Sequence, residues 1–219
     1  KEPVYQQYIS QLQAQVQKSD ALAREYAQQD LRQWQVTYAQ FLLDQGQVDR
    51  AATVLDSLPK VDIPGQDELA AQLRIAIARN QLEAVLAGYR DHPETAPANE
   101  VLRGAAATLQ KTGQKPAARK ILEYVYSAEI AAHQLNAANM LGLAEIRIED
   151  GDLPGAMEVL RRLTLVVGQP FENLDAAAAL LTRTGHHGEA AGFLAELLKA
   201  TPWDEGVRLR LAQEQLAAG

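Results

Sequence analysis

Two adjacent histidines, His186 and His187, are the residues of this 219-residue chain whose types could most readily bind a metal or move a proton. They stand in the stretch TGHHGEA, which is predicted to be a tight turn between two helices. Adjacent side chains diverge in such a turn, and no carboxylate or third imidazole follows at zinc-ligand spacing. His92 and His133 stand apart from this pair. We therefore expect surface histidines, no metal site and no cofactor.

Neighbouring carboxylates are the second group that could do chemistry, as a general acid and base. The pairs are Asp67-Glu68, Glu149-Asp150 and Asp204-Glu205. Each is predicted at a helix start or in a turn, where carboxylates favour the helix dipole or face water. The chain has no cysteine, and it lacks a Gly-rich phosphate loop, a G-x-S-x-G elbow and an H-E-x-x-H motif. We therefore expect no enzyme, and catalysis on a helical scaffold is the weakest of three functional hypotheses.

Composition narrows the class of partner. The net charge is −7, and both signs are spread over the two halves of the chain, so nucleic acid and anionic lipid surfaces are poor partners. No run approaches the roughly 20 apolar residues of a membrane span, so no membrane insertion is expected in this segment. The chain begins Lys1-Glu2-Pro3, from which we expect a piece of a longer protein and leave localisation open.

The elements that would position these residues repeat along the chain. Predicted turn residues are 34, 33, 38, 34 and 34 residues apart, in the order Gly46, Asn80, Gly113, Gly151, Gly185 and Gly219. A period near 34 is typical of stacked helical hairpins. The longer spacing of 38 includes PAARKILEYVYSAEIAAHQ, residues 116–134, which predicts a longer second helix in the third hairpin.

Each turn is flanked by two apolar stripes with helical spacing. After four turns the stripes are Ala51, Val54, Leu55, Leu58; Ala118, Ile121, Leu122, Val125; Ala156, Val159, Leu160, Leu163; and Ala190, Phe193, Leu194, Leu197. Before the turns they are Tyr38, Ala39, Leu42; Leu69, Leu73, Ala76; Leu102, Ala106, Leu109; Met140, Leu143, Ala144; and Leu174, Ala178, Leu181. A hairpin with one buried face per helix cannot close a core alone, so the sequence predicts an all-α fold in which neighbouring hairpins complete each other.

The first 30 residues carry a different pattern. Tyr5, Ile9, Leu12 and Val16 form one helical stripe among glutamines. We interpret residues 1–30 as one or two helices that cap the first hairpin, and the alternative is a solvated linker.

The repeat resembles the tetratricopeptide repeat (TPR) family over residues 31–219, as five units plus a terminal half-unit. The matching residues are Ala51-x3-Leu55, Ala118-x3-Leu122, Ala156-x3-Leu160, Ala190-x3-Leu194, Tyr38-Ala39-x2-Leu42, Ala105-Ala106-x2-Leu109, Ala177-Ala178-x2-Leu181 and Pro202. Arg147, Leu73 and Val85 depart from the family pattern. The resemblance implies a right-handed α-solenoid of helix-turn-helix repeats with N-terminal capping helices.

In this family the face opposite the buried stripe of each first helix lines a concave groove, which implies a binding site for a protein or peptide. The groove candidates are Gln33, Thr37, Gln40, Arg74, Arg103, Lys111, Glu145, Glu149, Asp175 and Arg183. Arg74, Arg103 and Lys111 give the predicted groove a basic middle. The Lys and Asn that clamp chaperone C-terminal carboxylates in some family members are replaced by Val36, Gln40, Ala70 and Arg74, which disfavours that ligand.

Trp34 and Trp203 are predicted at the starts of first helices, where we expect them to pack between hairpins rather than to bind a ligand. The leading functional hypothesis is a non-catalytic scaffold that holds a protein or peptide in the groove. The alternative is a structural spacer or self-assembly element acting through its ends, with a homo-oligomer formed by the terminal helix. That helix has no second helix after it to cover Val207, Leu209, Leu211 and Leu216.

Overall fold

A computed structural model describes residues 2–59, 64–132, 136–166 and 168–219 of the chain. This described part contains twelve α-helices, one 3₁₀ turn and no strand. The prediction of an all-α protein is therefore confirmed. Among the described helices, none combines the length and the apolar character that a membrane span requires.

The first compact unit, Lys1–Leu122, is a series of helical hairpins. Its helices are α1 Glu2–Lys18, α2 Ala21–Asp44, α3 Val48–Asp56, α4 Gln66–Ala78, α5 Leu82–Asp91, α6 Asn99–Lys111 and the beginning of α7 Lys115–Ala131, with a 3₁₀ turn at Pro93–Thr95. Helix α2 packs against α1, α3 and α4, and α4 packs against α5 and α6. The first helix of each hairpin therefore contacts the first helix of the next.

The second compact unit, Glu123–Gly219, repeats this arrangement. It contains the remainder of α7 and then α8 Ala137–Glu149, α9 Leu153–Leu163, α10 Pro170–Arg183, α11 His187–Ala200 and α12 Glu205–Ala218. Helix α8 packs against α9 and α10, and α11 packs against α10 and α12. Here too, first helices α8 and α10 are neighbours.

The five predicted turns share one backbone geometry. The turn residue has a positive φ, from 57° at Asn80 to 83° at Gly113 and Gly151, which glycine adopts without strain and asparagine tolerates. The next residue donates its N–H to the carbonyl five positions earlier, at 2.7–2.9 Å, in the pairs Gln47–Leu42, Gln81–Ala76, Gln114–Leu109, Asp152–Arg147 and His186–Leu181. This is the Schellman motif, which satisfies carbonyls that a helix end leaves free. The turn positions inferred from the sequence are confirmed.

The two predicted stripes form the core. Every predicted stripe residue on the first helices is buried, and on the second helices all are buried except the half-buried Val54 and Leu122. The leading alanines Ala51, Ala118 and Ala156 are fully enclosed. Small residues at these places let helices approach closely, as the sequence pattern predicted.

Two further predictions about elements can be compared with the structure. Helix α7 has 17 residues, whereas α3, α5, α9 and α11 have 9 to 14, so the longer second helix of the third hairpin is confirmed. Residues 2–18 form α1, which packs on α2 and is therefore not a solvated linker. The domain boundary expected between residues 30 and 31 falls inside α2, a continuous helix of 24 residues.

Aromatic rings and an ion pair hold α1 in place. The ring of Tyr8 stacks on Trp34 with centroids 4.8 Å apart, and the ring of Tyr5 lies 5.7 Å from that of Tyr38. Trp34 is thus a packing residue, as expected. The carboxylate of Glu2 accepts hydrogen bonds from the Arg50 guanidinium and from the Tyr38 hydroxyl, and these bonds, that from Arg50 foremost, lower the pKa of Glu2.

Candidate binding surface

The candidate groove residues lie on the first helices, and the described contacts link several of them across neighbouring helices. In the first unit, Arg74 Nη2 on α4 donates to Asp44 Oδ1 on α2 at 2.7 Å. Gln40 Nε2 on α2 donates to the backbone carbonyl of Asp67 on α4 at 3.3 Å. These polar side chains therefore stitch adjacent hairpins together in addition to facing outward.

The same cross-linking occurs in the second unit. Arg183 on α10 pairs with Glu145 on α8 at 2.8 Å, so two predicted groove residues are brought into direct contact. Asp175 on α10 pairs with Arg210 on α12. Glu149 is exposed near the end of α8. Much of the charge expected in the groove is thus neutralised within the protein.

An ion pair that the sequence reasoning missed fixes α2 against α4. Arg32 Nε and Nη2 donate to the two carboxylate oxygens of Glu68 at 2.9 and 2.8 Å, and Arg32 Nη1 donates to the Pro59 carbonyl at 2.6 Å. Only 6% of Glu68 is exposed, so the expectation that the Asp67-Glu68 pair faces water is wrong for Glu68. Asp67 is exposed, as expected.

This ion pair borders a cavity of about 470 Å³ on the first-helix side of unit one. Its lining residues are Gln29, Arg32, Gln33 and Val36 of α2, with Gly65, Gln66, Asp67 and Glu68 at the start of α4. One predicted groove residue, Gln33, therefore lines a depression of the size of a small-ligand or peptide side-chain pocket. Its walls are mainly amide and charged groups, which can hydrogen-bond a peptide backbone.

The remaining groove candidates have varied surroundings. Thr37 is half-buried, and its hydroxyl donates to the Gln33 carbonyl within α2 at 2.9 Å. Arg103 is half-buried on α6, and Lys111 is exposed at the end of that helix. The Nε atom of Arg74 is buried and has no hydrogen-bond partner among the described atoms.

The apolar positions of the expected groove stripe are not open to solvent. Val36, Ala70 and Ala71 are 3%, 1% and 0% exposed, because α2 and α4 meet along this side of each helix. The outer surface of the first helices is therefore narrower than the sequence pattern indicated, and its accessible part is polar.

The histidine pair also differs from expectation. His186 and His187 are half-buried, and His187 Nδ1 lies 2.8 Å from Glu214 Oε2 on α12. Thr182 Oγ1 on α10 donates to Glu214 Oε1 at 2.8 Å. The bond from His187, and after it the bond from Thr182, lower the pKa of this carboxyl. His187 is thus part of a clasp on the terminal helix and not a free surface residue.

The other candidate chemical groups are structural or separate. Asp204 Oδ1 accepts from the Val207 N–H at 3.0 Å and caps α12. His92 faces Glu94 at 3.3 Å, and His133 lies outside the described residues. Within the part of the chain that the structure describes, no group of three or more His, Asp or Glu could hold a metal ion.

Trp203 contradicts the packing prediction. It precedes α12 and is 78% exposed, because the chain turns there before the helix begins at Glu205. The helix start inferred from the repeat period was therefore two residues early.

Comparison with known proteins does not identify the chain: neither a family model nor a curated protein sequence matches it. The functional argument therefore depends on the residues and contacts described above.

Proposed function

We propose that this chain is a non-catalytic scaffold that binds a protein or peptide segment, as part of a larger protein. We further propose that its hairpins are TPR-like repeats of a right-handed α-solenoid. Five Schellman turns in one register and the contact of successive first helices within each unit support this architecture.

The observation that carries the binding proposal is the cavity between α2 and α4. Its polar walls are held in place by the bidentate Arg32–Glu68 pair and by the Gln40 bond to Asp67. A surface that is ordered before binding lowers the conformational cost of holding an extended segment. Gln29, Gln33 and Gln66 supply amide donors and acceptors for such a backbone.

The charge pairing changes the expected character of recognition. A free basic middle would favour acidic peptides at low salt. Because Arg74 is paired with Asp44, we expect hydrogen bonding and shape to dominate in unit one, with a weak dependence of affinity on salt. Lys111 and its neighbours contribute a smaller electrostatic part.

The test is selection of a random displayed peptide library against the whole chain, followed by calorimetric titration of a selected peptide. Gln33→Ala and Asp67→Ala should each weaken binding about threefold to tenfold, the loss expected for one hydrogen bond. Gln110→Ala, which alters an exposed glutamine on α6, is the matched control and should leave affinity unchanged. Equal affinity for all four proteins would refute the proposed site.

The self-assembly alternative has one observation in its favour. Helix α12 buries Val207 and half-buries Leu211, but Leu209 and Leu216 are 61% and 85% exposed. Single exposed leucines are common, whereas two on one face of a terminal helix are typical of a contact surface. A molecular mass that rises with concentration would favour this alternative.

A further inference from the structure

The outward face of α12 is a fixed surface, because its opposite face is firmly attached. Val207 is buried against the core of the second unit. Glu214 accepts bonds from Thr182 and His187, and Arg210 pairs with Asp175. Contacts at three levels along the helix thus prevent α12 from rotating to hide its exposed residues.

The exposed residues follow a coiled-coil spacing. Leu209, Ala212 and Leu216 are three and four residues apart, they lie on one face, and all three are exposed. Large and small side chains alternate along this outer seam. Such a seam is self-complementary, since the leucine of one helix can lie over the alanine of an antiparallel copy.

We propose that the outer seam of α12 pairs with the same seam of a second copy of this chain, antiparallel about a two-fold axis. Leu216 of each copy then lies against Ala212 of the other. The alternative register would place Leu216 against the charged Glu205, which an apolar contact disfavours. This inference deepens the self-assembly alternative and is independent of peptide binding.

The charges beside the seam agree with a second copy. Gln213 and Gln215 flank it near the axis, so no like charges oppose each other there. Arg208 lies near the carboxyl end of the partner's helix, where the helix dipole favours a cation.

The opposite end of the chain is a poor partner for the seam. The outward residues of α1 include Gln7, Gln11 and Gln15, all exposed. Polar glutamines would leave the leucines of α12 poorly covered, so a head-to-tail chain of copies is disfavoured. Two-fold pairing satisfies the seam with itself.

The contact is small, which sets the expected affinity. Two leucines and one alanine per copy bury much less than the roughly 1,200–2,000 Å² of a stable interface. We therefore expect a weak dimer that appears above about 100 μM and is absent near 1 μM.

Sedimentation equilibrium of the whole chain over this concentration range is the first test. The wild type should shift from one-chain to two-chain mass, and Leu216→Glu should remain at one-chain mass throughout. Leu165→Glu is the matched control, since Leu165 is 77% exposed elsewhere in the same unit, and it should dimerise like the wild type. A wild type that stays at one-chain mass, or an unaltered dimer in Leu216→Glu, would overturn the proposal.

Cysteine pairing tests the register, because the natural chain has no cysteine. An Ala212→Cys protein mixed with a Leu216→Cys protein should form a mixed disulfide dimer faster than either protein alone. A Leu165→Cys protein should not cross-link. Circular dichroism of each variant separates a lost contact from a lost fold, and equal rates for all pairs would contradict the two-fold geometry.

Discussion

Glu68 and Arg32 show how a single carboxylate can determine the placement of two helices. The carboxylate is buried and receives two hydrogen bonds from one guanidinium. Removing one partner leaves the other charge poorly solvated, which costs more than the pair contributes when intact.

We predict that Glu68→Ala lowers the free energy of unfolding by about 2–3 kcal/mol, the range for hydrogen bonds to charged groups. Urea denaturation measures this change. Glu196→Ala, which removes an exposed carboxylate from α11, should change stability by less than about 0.5 kcal/mol. Equal effects of the two substitutions would show that the Arg32 pair does not hold α4.

Glu214 gives a pH-dependent prediction. Its folded-state pKa lies below the ordinary value of 4.5, chiefly because of the bond from His187. The carboxylate therefore contributes stability that is complete above about pH 4.5 and is lost as pH falls through the lowered pKa.

The measurement is the difference in unfolding free energy between the wild type and Glu214→Gln, taken from pH 7 to pH 3. This difference should be largest near neutral pH and should shrink in acid. A difference that grows as the pH falls would contradict the assigned role of the clasp.

Gly192 and Gly151 should respond in opposite ways to alanine. A Cβ on Gly192 in α11 would meet no atom within 4 Å, so Gly192→Ala should stabilise by about 0.5–1 kcal/mol. Gly151 has a φ of 83°, so Gly151→Ala should destabilise by about 1 kcal/mol or more. Thermal unfolding compares them, and the same sign for both would show that one of the two backbones is misassigned.

At the scale of elements, turns and buried stripes were predictable from the sequence because both depend on local order. A turn glycine or Asn80 requires only a positive φ, and an apolar residue every three or four positions defines a helix face. The 17-residue α7 followed from the same spacing.

Side-chain partners were not predictable in this way. Arg32 and Glu68 are 36 residues apart, and His187 and Glu214 are 27 residues apart. Whether such groups meet depends on the rotation of one helix against another, which a single sequence does not encode locally. The burial of Val36 and Ala70 has the same origin, since it requires the contact between α2 and α4.

The alanine that leads each second helix tests the element packing. Ala118→Leu and Ala156→Leu should each cost about 1–3 kcal/mol, because these alanines are fully buried and the added atoms overpack the helix contact. Ala179→Leu, at an exposed position of α10, is the control and should be nearly neutral. Chemical denaturation gives all three values, and harmless changes at both buried sites would mean that the stripes are out of register.

At the scale of the whole molecule, each compact unit is built from hairpins that share burial with their neighbours. Such units present ordered side chains on their first helices without requiring a central active site. The polar cross-links reduce the exposed charge of this surface and favour recognition by shape and hydrogen bonds. The partner's identity was not predictable, because fold alone does not specify function.

Hydrogen exchange of the whole chain, with and without a library-selected peptide, tests the binding proposal most directly. Binding between α2 and α4 should slow amide exchange in residues 29–36 and 65–68, and it should leave α12 unchanged. Slower exchange confined to α12 or to the second helices would contradict the proposed binding surface.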